Sequence, residues 1–435
     1  MEMRMRIPST PSRRLRPPPM MRLPFFPRLD IPFAVMGLFF VAMAVSEYLL
    51  PGGAGGDRLP VRILCGAQTA FALMVVFFSH APTILSGRMP ISFLLLFIWL
   101  CVSGITYTDN KMMEAVYLWV MYLYWYSLFL FFYIRSRAHP ERLQMFIVLA
   151  VCSLLVWVPA LLNFTRVNVE ISNTPVYRQA QNYAGYYIVA LFPYALLLKR
   201  KTLKIIAIAL ISYGAVYSLK RGVILALILM GFSSSLLYYT IFSNVKKKGK
   251  NAIAIIALWA IAISAGLLFV RANPEAVSRR LKSDTGRSGI YAATLEAIAK
   301  ADYYLLVIGH GNRQSLAATG HEPHNDWLLL LYDYGIVGVI IMLNIYSSLI
   351  SLLLKLCKLK SPLAIPLVSV IVLMACVQFY STGLYVKIFG FITGGIGIIV
   401  GRFYGEPTSI QNSTELSRSR PLLIGCNAPI RGELT

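Results

Sequence analysis

The sequence predicts an all-α, polytopic integral membrane protein with about twelve transmembrane helices and one large periplasmic loop. Three observations predict this fold class. First, 57% of the 435 residues are hydrophobic and only 14% are charged, whereas soluble domains have roughly a quarter charged residues. Second, long apolar runs recur along the whole chain. Third, Lys and Arg concentrate in alternate connections between those runs. This composition leaves too little polar surface for a water-soluble globule.

Most of the apolar runs are long enough to cross a hydrocarbon core of ~30 Å, which takes roughly 17–25 helical residues, and 183–198 and 203–219 are the short ones. Backbone groups in lipid need partners within their own segment, and the runs lack the alternating pattern of barrel strands, so helices are predicted. The predicted spans are 32–50, 61–79, 90–107, 113–133, 144–163, 183–198, 203–219, 222–242, 252–270, 331–354, 363–381 and 384–401.

The distribution of Lys and Arg predicts the orientation. Cytoplasmic loops carry an excess of these residues, and here the basic clusters fall in 1–31, 80–89, 134–143, 199–202, 243–251, 355–362 and 402–435. The alternate loops 51–60, 108–112 and 382–383 contain only Arg58 and Lys111. The net charge of +23 is therefore juxtamembrane charge, and the predicted partner is the lipid bilayer and not nucleic acid.

This topology divides the chain into five parts with both termini in the cytoplasm. They are a basic N-terminal segment (1–31), the first nine spans (32–270), a large periplasmic loop (271–326), the last three spans (327–401) and a polar cytoplasmic tail (402–435). The six cysteines show no C-x-x-C spacing, so neither a disulfide framework nor a structural zinc site is indicated.

One pair of basic residues breaks the charge rule in a very short outer turn. Lys220 and Arg221 lie between two predicted spans, where ionisable groups are costly and usually functional. Gly222 is predicted to open the next helix, which places Arg221 at a helix N-terminus. That position favours an anion, and a guanidinium can bind a phosphate with two hydrogen bonds. For most charges of the longer loop 271–326, simple solvation is a sufficient explanation.

A second pattern spans the end of the large loop. His324 and Asn325 are followed after nine residues by Gly335-Ile336-Val337-Gly338. The two glycines are expected one turn apart on one helix face, where small residues allow close helix packing. Taken alone, His324 also fits an interface histidine that is bonded to a carbonyl group.

The pattern H-N-x9-G-x-x-G resembles the signature of the O-antigen ligase and O-antigen polymerase family of bacterial membrane glycan transferases. His324, Asn325, Gly335 and Gly338 match it. The turn with Ser218, Arg221 and Gly222 also fits the family pattern, as do Gly286-Arg287 and, more loosely, Gln181-Asn182. The resemblance covers roughly residues 180–400.

The resemblance implies transfer of a glycan from undecaprenyl diphosphate to an acceptor sugar hydroxyl at the periplasmic face of the inner membrane. Arg221, Arg287 and Lys220 are then expected to bind the diphosphate, and His324 to act as general base. Asn325, Gln181 and Asn182 are expected to orient the substrate. No D-x-D string occurs at the outer face, so we expect no metal, and the resemblance implies no cofactor.

Several alternatives stay open at this point. A polymerase of O-antigen or exopolysaccharide is slightly preferred over a ligase that uses lipid A–core as acceptor. A flippase for lipid-linked glycans is the alternative from another class, although it would not need a base beside a diphosphate site. Within the loop, His310 is interpreted first as part of a turn and His321 as a solvated residue. Asp284 is the alternative base.

The predicted topology can be tested with reporter fusions. Fusions near Thr285 and at Thr435 are expected in opposite compartments, because the first lies in the periplasmic loop and the second in the cytoplasmic tail. Activities of a periplasmic and a cytoplasmic reporter at each site measure this. The same compartment for both fusions would remove one span from the predicted count.

Overall fold

The computed structural model describes residues 30–49, 59–79, 87–106, 112–171, 183–218, 220–242, 287–381, 383–384 and 387–405. Every regular element within these ranges is helical, which confirms the predicted all-α class. Several predictions fall outside the described residues: the ninth span (252–270) and the residues Gln181, Asn182, Asp284 and Gly286.

The helices are numbered in chain order. They are α1 (Ile31–Leu49), α2 (Leu59–Phe78), α3 (Arg88–Thr106), α4 (Met112–Ala138), α5 (Leu143–Cys152), α6 (Leu154–Ile171), α7 (Tyr183–Ala190), α8 (Phe192–Leu196), α9 (Lys201–Tyr217), α10 (Arg221–Phe242), α11 (Arg287–Ala299), α12 (Tyr303–Ile308), α13 (Gln314–Thr319), α14 (Asp326–Lys358), α15 (Ala364–Tyr380) and α16 (Ile388–Gly405).

The chain has the helices of a membrane protein. In the described part, six stretches are long and apolar enough to cross a bilayer: Pro60–Phe78, Val116–Ala138, Leu143–Leu162, Arg221–Phe242, Asp326–Lys358 and Ile388–Gly405. Shorter apolar helices occupy Ile31–Ser46, Arg88–Gly104, Ala184–Leu196 and Ala364–Tyr380. The total of twelve spans stays a prediction.

Two predicted spans are each divided between two helices, and a third, 331–354, contains the bend at Gly335 that is described below. The run 144–163 is divided at Ser153, whose hydroxyl donates to the carbonyl of Ala150 at 2.5 Å. The run 183–198 is divided at Leu191. The second break has a simple cause, because Pro193 has no N–H to donate and its ring crowds the carbonyl four residues earlier.

The closest helix pair is α4 and α16, which run parallel. A stripe of small residues on α16 lies against backbone carbonyl oxygens of α4, so an added Cβ would overlap each oxygen. The contacts are Gly397 on Phe129, Gly401 on Tyr133 and Gly405 on Arg137. Small residues of this kind let two apolar helices approach at backbone distance, where Cα–H groups contact carbonyls.

Helix α14 is sharply bent at Gly335. This residue has φ 66° and ψ −175°, which is not helical. The rings of Trp327 and Tyr346 lie 5.8 Å apart, although nineteen residues of straight helix would separate them by about 28 Å. The first arm, 326–334, therefore folds back along the second arm, 336–358.

The bend releases three consecutive backbone carbonyls that a continuous helix would have satisfied. Such groups need other partners inside an apolar bundle. The loop before α13 and one side chain of α3 provide them. His310 N donates to Tyr332 O at 3.0 Å, Gly311 N to Asp333 O at 2.8 Å, and Trp99 Nε1 to Tyr334 O at 2.9 Å. The bend is thus stabilised by groups from two other parts of the chain.

The prediction that Gly335 and Gly338 share one helix face is wrong. Gly335 is at the bend, and its α-carbon packs against the backbone of Val307 and Gly309, not against another spanning helix. A left-handed φ and this close backbone contact both favour glycine. Gly338 alone has the predicted type of role, because it lies against Trp99 of α3.

We expect Gly335→Ala to destabilise the protein strongly. The φ of 66° and ψ of −175° lie in a region essentially restricted to glycine, which costs other residues roughly 1–3 kcal/mol, and the new methyl group would overlap the carbonyl oxygen of Val307. Gly289→Ala is the control, because an added Cβ there meets nothing within 4 Å and alanine favours a helix. Melting midpoints in detergent should fall for Gly335→Ala only. Equal midpoints for both variants would contradict the importance of the bend.

Candidate functional site

The turn between α9 and α10 is built around a buried serine. Ser218 is fully buried, donates its hydroxyl proton to the carbonyl of Ala215 at 2.7 Å and accepts from the amide of Lys220 at 3.3 Å. The carbonyl of Lys220 in turn accepts from Val223 N at 3.0 Å. Helix α10 begins at Arg221, which confirms that this arginine lies at a helix N-terminus.

Aromatic side chains surround this turn. The ammonium group of Lys220 lies 4.6 Å from the centre of the Tyr186 ring, a distance typical of a cation–π interaction. Gly222 packs against the hydroxyl of the same tyrosine and against Tyr380 at the end of α15. Lys220 is thereby held in place, while Arg221 is exposed.

The backbone at His324 is strained. Its φ is 49°, in the left-handed region that residues other than glycine rarely adopt. The following Asn325 is extended and caps α14, because its Oδ1 accepts from Trp327 N at 2.9 Å and from Leu328 N at 3.2 Å. Strained conformations of this kind cost about 1–3 kcal/mol and cluster at functional sites.

Asn325 has a structural role that the sequence pattern did not predict. Its side-chain oxygen, Oδ1, accepts the hydrogen bonds of the helix cap, so a contact with substrate would have to use the Nδ2 amide protons. Substrate orientation by Asn325 stays a prediction, restricted to hydrogen-bond donation.

A buried carboxylate next to the histidine was missed by the sequence analysis. Asp326 is 0% exposed and accepts from the amides of Gly383 at 3.0 Å and Leu384 at 3.2 Å. It therefore joins the start of α14 to the connection after α15. The only signal in the sequence was an acidic residue at the beginning of an otherwise apolar helix.

A second buried carboxylate, Asp333, lies at the other end of the folded-back arm. It is 0% exposed and accepts from Arg313 N at 3.1 Å, from Ser315 N at 2.7 Å and from Ser315 Oγ at 3.2 Å. It thus caps α13. The two aspartates fix both ends of the arm that begins directly after His324 and Asn325.

Helix α11 connects Arg287 with His324. Arg287 is the first residue of the helix. One turn later, the hydroxyl of Tyr291 donates to the carbonyl of His324 at 3.4 Å. This contact places the N-terminus of α11 beside the strained residue.

Electrostatics shows that three predicted residues share one region. Burial lowers the pKa of His324 below its usual range, and the positive charges of Arg287 and Lys220 lower it further, with a smaller effect from His321. Burial, followed by the charge of Arg287, lowers the pKa of Lys220 to about 8. A neutral imidazole at pH 7 therefore lies in a cationic environment.

The other two histidines of this loop have different surroundings. The ring of His310 stacks on Tyr332, with centres 4.1 Å apart, and its Nδ1 lies 3.0 Å from the carbonyl of the same residue. His321 is exposed, and its amide faces the hydroxyl of Thr319 at 3.4 Å. The structure thus gives His310 a packing role at the bend of α14.

The fold and the site define an all-helical membrane protein with a cationic cluster and a neutral imidazole at neighbouring helix ends. Comparison with known protein families gives no matching family model, and comparison with curated proteins gives no match.

We expect the affinity for inorganic diphosphate to fall as the pH rises through about 8, because Lys220 loses its charge there. Isothermal titration of the detergent-solubilised protein measures this. Diphosphate itself gains negative charge over the same range, so Lys220→Arg is the control. The arginine variant stays charged and should retain its affinity. An identical decline in both proteins would exclude Lys220 from the anion site.

Proposed function

We propose that the protein is a membrane glycan transferase that moves a glycan from undecaprenyl diphosphate to the hydroxyl of an acceptor sugar at the periplasmic face. One observation carries this proposal. Three residues from distant parts of the chain, Lys220, Arg287 and His324, lie in one region. Arg287 lowers the pKa of both Lys220 and His324, and Lys220 also lowers that of His324. They combine the two chemical functions that such a transfer needs.

The first function is binding of the leaving group. As the bond between the anomeric carbon and the diphosphate breaks, its electron pair moves to a diphosphate oxygen, where the negative charge needs stabilisation. Fixed cations in a water-poor site stabilise such charge effectively. Lys220 and Arg287 supply two of them, and Arg221 supplies a third from the start of α10.

The second function is activation of the acceptor. A sugar hydroxyl becomes a competent nucleophile when a base removes its proton during attack. A histidine with a lowered pKa is neutral at pH 7 and can accept that proton at Nδ1 or Nε2. The new glycosidic bond forms opposite the departing diphosphate, so the anomeric carbon is inverted, and His324 ends protonated.

Within this class we favour a polymerase, in which the acceptor is a second lipid-linked glycan of O-antigen or exopolysaccharide type. The basis is the resemblance of the Ser-Leu-Lys-Arg-Gly turn to that branch of the family. Use of lipid A–core as acceptor, which would make the protein an O-antigen ligase, is the alternative. Assays with either acceptor distinguish the two.

We expect His324→Asn to bind a lipid-linked glycan donor normally and to transfer about 10²–10⁴-fold more slowly. Asparagine tolerates the left-handed backbone of this position, so the loss would report the missing base and not misfolding. Transfer is measured in proteoliposomes with purified donor and acceptor. On the acid side, the parent rate should fall only when the pH drops below the usual range of histidine, because its lowered pKa keeps His324 neutral above it.

Matched variants separate the base from the anion site. Arg221→Ala should weaken donor binding and transfer together, and Arg221→Lys should restore them only in part, because an ammonium cannot make the planar two-point contact. His321→Ala, in the same loop but exposed, should retain most activity. Near-normal transfer by His324→Asn would disprove the assignment of the base. Movement of donor across the membrane without bond formation would favour a flippase.

A further inference from the structure

Helix α12 is an apolar segment that the protein itself does not bury. Its sequence is Tyr-Tyr-Leu-Leu-Val-Ile, and none of its six residues is buried. Tyr303 is 84% exposed, Tyr304 58% and Ile308 40%. A contiguous exposed patch of this kind in a folded protein marks an interaction surface.

The position of α12 in the bundle indicates what covers this surface. The residues at its end, Val307 and Gly309, pack against Gly335 at the bend of α14. The carbonyl of Tyr334, the residue just before Gly335, accepts a hydrogen bond from the indole N–H of Trp99. Trp99 lies seven residues before the end of α3 at Thr106, which corresponds to about 10 Å along the helix.

Helix α4 also contacts Tyr334 at a position well inside its own length. The hydroxyl of Tyr122 hydrogen-bonds that of Tyr334 at 2.5 Å, and Tyr122 is ten residues inside α4, or about 15 Å from its first residue, Met112. The end of α12 therefore lies beside the apolar turns of α3 and α4 and not beyond them.

The adjoining span also exposes apolar side chains. Directly after the bend, the second arm of α14 exposes Ile336, Ile340 and Leu343 at 39%, 58% and 52%. These residues belong to a stretch that is apolar enough to cross a bilayer, so lipid is the natural neighbour of their side chains. Ile308 lies between Val307 and Gly309, which contact Gly335, so the exposed end of α12 is close to the start of this arm.

We propose that α12 is an interfacial helix, embedded in one leaflet of the bilayer with its tyrosines at the level of the lipid headgroups. Tyrosine is enriched at this level because its ring is apolar and its hydroxyl is polar. Burial of Ile308 and the leucines among acyl chains removes their surface from water. The charged residues Lys300 and Asp302 precede the helix and stay on its aqueous side.

A photoreactive benzoylphenylalanine at a chosen position tests this directly. It is placed at Tyr304, at Ile308 or at Ala318 of the full chain, in nanodiscs of phosphatidylethanolamine and phosphatidylglycerol. Ala318 is the control, because it is exposed on α13, outside the apolar helix α12. Illumination followed by intact-protein mass spectrometry shows whether one phospholipid mass is added.

We expect lipid adducts at positions 304 and 308 to exceed those at 318 at least fivefold, with size-exclusion profiles like that of the parent. Two positions are used so that one poorly folded variant does not decide the outcome. Lipid adduct formation no greater than at 318 would overturn the proposal. Covalent dimers at 304 and 308, in place of lipid adducts, would do the same and would identify a second protein chain as the partner.

Discussion

A helix that breaks inside an apolar bundle has to find partners for the carbonyl groups that it releases, and much of this site depends on how the chain meets that requirement at Gly335. The backbone amides of His310 and Gly311 and the indole N–H of Trp99 donate hydrogen bonds to these carbonyl groups. In doing so they join α3, the large loop and α14 into one structure. The folded-back arm, and with it the position of His324, follows from this set of hydrogen bonds.

Charge is distributed in a way that matches an anionic ligand. The buried carboxyl groups of Asp326 and Asp333 accept hydrogen bonds from backbone amides at the two ends of the arm. The positive groups Lys220 and Arg287 share their region with a histidine that stays neutral. In the proposed reaction the cations would bind the diphosphate, and the neutral imidazole has one unprotonated ring nitrogen that can accept a proton.

The sequence predicted the class of protein and several local features well. Hydropathy and charge identified a helical membrane protein, and the position of Lys220-Arg221 between apolar runs correctly placed a helix N-terminus at Arg221. The family resemblance brought Arg287 and His324 to attention, although the residues that connect them, such as Tyr291, carry no signal that is separable from ordinary surface polarity.

The bend at Gly335 could not be predicted in the same way. Hydropathy reports how long an apolar run is, but not its direction, so a folded-back arm and a straight span have the same profile. A pair of glycines three residues apart fits a packed helix face as well as a break followed by a packed helix. The distinction arises from Val307 and Gly309, which approach Gly335 from a separate segment and are invisible to local patterns.

The glycine stripe between α4 and α16 has a consequence for motion. Backbones in direct contact along three successive turns cannot slide or separate without losing that contact, so these two helices behave as one rigid unit. The bend of α14 is different, because its arm is short and is held at its ends by a few hydrogen bonds. Conformational change would therefore concentrate in this short arm and leave α4 and α16 unmoved.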